Sequence, residues 1–177
     1  MKPLRQNFIV CIVLLSSSSF CFFFVNFMMK NLNGSIIKNT IFSQSAEIVA
    51  RALGGVIYMK VGARLSLSSM FMISTIGSIF LIIFYDREDL LPYFIIFTKF
   101  GVAAVINMLL IASVMLFPTQ FTAAVFGYCN MIGRLFTVMS SLVAELDEPL
   151  NLMIFAVVAC IGIIFSFFLL TKLPRFI

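Results

Sequence analysis

The chain has no histidine and no tryptophan, and only 11% of its 177 residues are charged. Without histidine there is no usual proton shuttle, no Ser-His nucleophile pair and no typical zinc site. Acids are scarcer than bases, seven against twelve, which leaves a net charge of +5. Such a balance suits nucleic acid when the bases cluster on one face. Here they are scattered between apolar runs and read as topology signals, so no nucleic-acid partner is expected. Polar sequence is the deepest shortage: 62% of the residues are apolar and the mean hydropathy is +1.15. A soluble domain is roughly 45–50% apolar and about 25% charged. The composition therefore predicts an integral membrane protein whose first partner is the lipid bilayer. Cysteine is sparse too. Cys11, Cys21, Cys129 and Cys160 all lie inside apolar runs without CxxC spacing and read as small buried side chains. No metal or cofactor is expected.

A helix needs about 20 mainly apolar residues to cross a bilayer. Six stretches qualify, at about 7–29, 41–59, 65–84, 90–116, 119–143 and 150–170. They predict an all-α membrane protein, a single six-transmembrane-helix bundle over residues 1–177 with no soluble domain. The opening "MKPLRQNFIVCIVLLSSSS" also has the basic start and short apolar run of a signal peptide. The apolar run resumes at once in "FCFFFVNFMM", which favours a true span.

Charges between the spans set an orientation. One set of loops and ends carries Lys2, Arg5, Lys60, Arg64, Lys172 and Arg175 and no acid. The other carries Asp86, Glu88, Asp89, Glu145, Asp147 and Glu148 with Lys30, Lys38 and Arg87. Both termini are expected on the cytoplasmic side, in a multi-pass protein of the plasma membrane. Asn33 begins an "NGS" sequon in a short outer loop, close to the membrane, where it is expected to go unused.

Four ionisable residues remain within spans: Glu47, Arg51, Lys99 and Arg134. Charges at mid-membrane cost several kcal/mol even by the milder scales, so they usually face a bundle interior or a watery cavity and mark a substrate path. Glu47 and Arg51 are four apart, acid first, the favourable order for a pair on one helix face. They either neutralise each other for insertion or serve gating. Lys99 can snorkel to the outer interface or face the path. Arg134 lies too deep to snorkel and is expected to face a cavity, with Asn130 one turn earlier placed to orient its guanidinium. Asn107 is also mid-span. Small residues in "ARALGGVIYMKVG", "KFGVAAV" and "AAVFGYCNMIG" predict close helix contacts. Phe in "FCFFF" is expected to face lipid rather than line a cavity.

The stretch "TKFGVAAVINMLLIASVMLFPTQFTAAVFGYCNMIGRL" resembles helices ten and eleven of the organic cation/anion/zwitterion transporters of the major facilitator superfamily. The matching residues are Lys99, Phe100 and Gly101, then Leu116, Phe117, Pro118 and Thr119, then Arg134. "FSQSAEIVARALGGVIYMKVGAR" is similar to that family's eighth helix and the basic cytoplasmic turn after it, through Glu47, Lys60, Gly62 and Arg64. The likeness runs over nearly the whole chain but covers only the family's second half, helices seven to twelve. It implies alternating access around a central site, shared with an N-terminal six-helix half or a second copy. It also implies substrate contacts at Arg134, Lys99, Asn130 and Asn107, and gating charges at Glu47, Arg51, Lys60 and Arg64. Arg134 stands where anion- and carnitine-type members carry arginine, which favours an organic anion or zwitterion. Met115, Thr122, Val49 and Met59 replace a family acid, arginine, proline and aspartate, so the cytoplasmic charge latch is expected to be weakened. The competing expectation is a half-size, non-transporting subunit that binds another membrane protein. An enzyme is not expected, since the spans hold no paired carboxylates.

Overall fold

A computed structural model of the chain describes residues 2–29, 36–84, 90–146 and 150–169. Asn33 and the loop charges Lys30, Asp86, Arg87, Glu88, Asp89, Asp147, Glu148, Lys172 and Arg175 lie outside these described residues. The described residues form six helices: α1 (Lys2–Met28), α2 (Ile36–Val61), α3 (Ala63–Ile83), α4 (Leu91–Leu116), α5 (Thr119–Ala144) and α6 (Leu150–Phe167). Among the described residues five are long and apolar enough to cross a membrane, namely α1 and α3 to α6. α2 has the length, with 26 residues or about 39 Å, but Glu47 and Arg51 interrupt its apolar sequence.

Two breaks have local causes. α2 turns into α3 through one residue, Gly62, whose φ of +91° is costly for any residue with a Cβ. Pro118 separates α4 from α5. It forces Phe117 into an extended conformation and starts the next helix, where Thr122 Oγ1 donates to the carbonyl oxygens of Phe117 and Pro118.

The contacts define two layers. α2, α4, α1 and α5 stand in a row, with α3 packed behind α4 and α6 behind α1 and α3. Contact pairs give the directions. Glu47 meets Lys99 and Gly54 meets Ala104, so α2 and α4 run parallel. Met70 meets Gly101 and Gly77 meets Thr98, so α3 and α4 are antiparallel. Arg64 reaches Leu169 and Phe71 reaches Gly162, which sets α3 against α6; Gln6–Phe168 and Phe24–Phe155 do the same for α1 and α6. Direction thus alternates along the chain from one helix to the next. α1 and α3 point the same way, so α2 carries the chain back across the full height of the bundle.

Small residues make this packing possible. A Cβ on Gly101 would lie 2.8 Å from the Met70 carbonyl oxygen, and one on Gly162 would enter the Phe71 ring. Phe20, Phe24, Phe71 and Phe155 are buried between helices. Phe20 and Phe24 correct the expectation that "FCFFF" faces lipid: Phe24 packs on Phe155 of α6, and Phe20 lines a cavity between α1, α5 and α6. Cys11, Cys21 and Cys129 are buried and Cys160 is exposed, all as free thiols.

Candidate functional site

Three of the four charges singled out within the expected spans, Glu47, Arg51 and Lys99, converge on the α2–α4 seam. On α2 the one-turn spacing brings Arg51 Nη2 to 2.7 Å from Glu47 Oε1, and Arg51 Nε donates to the same oxygen at 3.1 Å. The other carboxylate oxygen faces α4, where Lys99 Nζ lies 3.4 Å away. Lys99 is 1% exposed, the Glu47 side chain 12% and that of Arg51 42%. Lys99 therefore points into the bundle and does not snorkel. Its ammonium also sits 5.7 Å from the centre of the Phe22 ring on α1, a cation–π distance.

One acid thus serves two bases, and the cluster keeps one positive charge in excess. Burying an ion pair in a low-dielectric interior costs desolvation on both sides, and the pair repays it only with good geometry and further hydrogen bonds. Here the second bond comes from Arg51 to Glu47. One turn before Glu47, Ser43 Oγ is buried with no hydrogen-bond partner among the described residues. Asn107 belongs to the same seam: its Nδ2 donates to the Arg51 carbonyl oxygen at 2.7 Å, and Gly55 leaves room for that amide. Asn107→Leu is expected to cost the bundle about 1 kcal/mol, read as a lower detergent concentration for half-unfolding.

Arg134 is on a different element and makes no ion pair or hydrogen bond with a described residue. It is exposed, and Asn130, one turn earlier, is half-buried. No hydrogen bond joins the two. The direction in which Arg134 points follows from helix periodicity. Phe136, Met139 and Val143 line a cavity of about 350 Å³ against Ile154, Val158 and Ile161 of α6. Arg134 lies about 200° from Phe136 around α5, at about 100° per residue. It therefore faces away from α6, on the side of the four-helix row that α3 and α6 leave uncovered. Lys99 and Asn107 are also on the side of α4 away from α3, which packs against Thr98 and Gly101.

Lys60 and Arg64 sit apart from this cluster, at the α2–α3 turn. Lys60 is exposed. Arg64 Nε donates to the Leu169 carbonyl oxygen and so caps the end of α6. Of the eight residues singled out in the sequence, the structure brings Glu47, Arg51, Lys99 and Asn107 together. Arg134 and Asn130 stand on the same open side, and Lys60 and Arg64 occupy one end. The Lys99–Glu47 pair, the Phe22 contact and the Arg64 cap have no local sequence signal, because each joins residues from separate helices. No protein-family model and no curated protein matches the chain.

Proposed function

We propose that the chain is one six-helix half of a membrane transporter for a small organic ion, with an anion or zwitterion preferred. The observation that carries this reading is the unequal charge of the bundle's middle: Arg51 and Lys99 share the single acid Glu47, and Arg134 adds a further cation on the same open side. Excess positive charge is expensive at this depth unless water or an anion reaches it. α2 is the sixth crossing on this reading, paired along α4, which covers Glu47 while Arg51 stays partly exposed on the open side.

A carboxylate entering from the open side meets Arg134 first, whose planar fork suits two-pronged binding. Lys99 and Arg51 lie deeper and are held by Glu47. The substrate's carboxylate competes with Glu47 for them, which couples binding to a loosening of the α2–α4 seam. Asn130 and Asn107 supply neutral hydrogen-bond donors beside the charges. Arg5, Lys60 and Arg64 all lie at the end where α1 and α3 begin, and Glu145 lies at the other. That distribution supports cytoplasmic termini. Rocking against an N-terminal six-helix half, or a second copy, would expose the site to each side in turn. The alternative, a non-transporting assembly subunit, is favoured by the same open face if another membrane protein covers Arg134 permanently.

The test is uptake of labelled carboxylate and cationic solutes into vesicles holding the chain with its partner half or as a self-assembled pair. Arg134→Ala is expected to lower carboxylate uptake at least tenfold, the effect of losing a charge-assisted contact of about 1.5–3 kcal/mol. Equal uptake by the variant removes Arg134 from the site, and uptake of cations alone removes the anion preference. No uptake of either solute favours the assembly subunit.

A further inference from the structure

Where α1 begins and α6 ends, a cleft of about 490 Å³ opens between them, lined by Arg5, Gln6, Ile9, Val10, Phe165 and Phe168. That is within the range of about 300–1,000 Å³ typical of small-molecule sites. Its chemistry changes with depth. Arg5 and Gln6 lie at the end nearest the start of α1, with Phe168 beside Gln6, and the rest of the lining is apolar. Gln6 Nε2 already donates to the Phe168 carbonyl oxygen at 3.4 Å. Arg5 is exposed and makes no hydrogen bond or ion pair with another described residue. The neighbouring acceptor at the end of α6, the Leu169 carbonyl oxygen, is occupied by Arg64.

With α1 and α6 read as membrane spans, the cleft lies at headgroup depth. Arg5 is the first residue of the membrane-crossing part of α1, and Phe165 is near the last turn of the crossing part of α6. Val10 lies five residues, or about 7.5 Å, below Arg5. A cation at headgroup level over an apolar floor matches one class of ligand at both ends. We propose that this cleft is a binding site for an anionic phospholipid, with the phosphate on the Arg5 guanidinium and an acyl chain against Ile9, Val10, Phe165 and Phe168. Arginine holds a phosphate by two parallel N–H donors. A soluble phosphate gains nothing from the floor, and a zwitterionic lipid brings its phosphate together with an ammonium that offsets the attraction to Arg5. The proposal stands apart from the transport reading, because neither Arg5 nor the cleft touches the charges of the α2–α4 seam.

The test uses the full chain in phosphatidylcholine bilayers with trace spin-labelled phosphatidylglycerol or phosphatidylcholine. The readout is the motionally restricted fraction of each label. Phosphatidylglycerol is expected to associate about fivefold more strongly at low salt, the effect of one basic residue at a membrane surface. The preference should shrink in high salt, as an exposed charge requires. Arg5→Gln is expected to bring the two lipids level, and Arg5→Lys to keep most of the preference. Ile9→Trp fills the floor and is expected to reduce restriction of both labels while helix content stays unchanged. It keeps the test decisive should Arg5→Gln fail to fold. Equal association of the two lipids with the unaltered chain overturns the proposal, as does a preference that survives Arg5→Gln. Displacement of the lipid by glycerol phosphate in solution would make the ligand a soluble phosphate and also overturn it. If residues 170–177 fill the cleft instead, both labels stay indifferent to Ile9→Trp, and the lipid site is overturned in that case too.

Discussion

Replacing Glu47 by glutamine is expected to destabilise the bundle by about 3–5 kcal/mol, the usual cost of leaving a buried charge without its partner. The affected charge is Lys99, which is almost wholly inside and has Glu47 as its ion-pair partner at 3.4 Å. Arg51 suffers less, because nearly half of its side chain is exposed and water can replace the lost carboxylate. Lys99→Met is expected to cost much less than Glu47→Gln, since Glu47 keeps its 2.7 Å contact with Arg51 and methionine fills the same space. The double variant should then recover most of the stability lost with Glu47→Gln alone. Unfolding of the reconstituted chain by added denaturing detergent, followed by helix content, measures all three. Equal costs for the two single variants, with no recovery in the double, would show that the pair carries no coupling.

The second large effect concerns size rather than charge. Gly101→Ala places a methyl group 2.8 Å from the Met70 carbonyl oxygen and 2.9 Å from the Ser74 backbone nitrogen, both rigid parts of α3. The helices must separate, at a cost of about 1–3 kcal/mol, and Gly101→Val should exceed it. Gly127→Ala is the control on α5, where nothing lies within 4 Å of the new methyl group. It is expected to stay within about 0.5 kcal/mol of the unaltered chain. The same detergent titration separates the two. Identical midpoints for Gly101→Ala and Gly127→Ala would mean that α3 and α4 do not pack through this glycine.

These two cases also mark how far the sequence could be read. Element positions were legible, because apolar runs, Pro118 and Gly62 are local signals. The expected span at 90–116 meets α4 at Leu91–Leu116, and 119–143 meets α5 at Thr119–Ala144. α1 and α2 extend beyond their expected apolar limits, since a helix continues into the polar residues that flank its hydrophobic stretch. The Glu47–Arg51 pair was legible for the same local reason: residues one turn apart on a helix must meet. Lys99 was not. Its distance from the helix start allowed either snorkelling or burial, and only the parallel packing of α2 on α4 decides between them. Glycines show the same limit. "KFGVAAV" and "AAVFGYCNMIG" look alike as small-residue motifs, and Gly101 packs on α3 and Gly133 on α1, yet a Cβ on Gly127 would meet nothing within 4 Å among the described residues.

The seam between α2 and α4 also sets an order of events during synthesis. α2 is the one helix of the six that falls short in apolarity, and the lysine that satisfies its glutamate belongs to α4. The hydrogen bond from Asn107 to the Arg51 carbonyl spans 56 residues of chain. At about 5–20 residues per second, that is roughly 3–11 s of translation. During that interval Glu47 can pair only with Arg51 of its own helix, and its second partner Lys99 and the Asn107 bond form once α4 has been made. The fourth helix therefore completes the placement of the second.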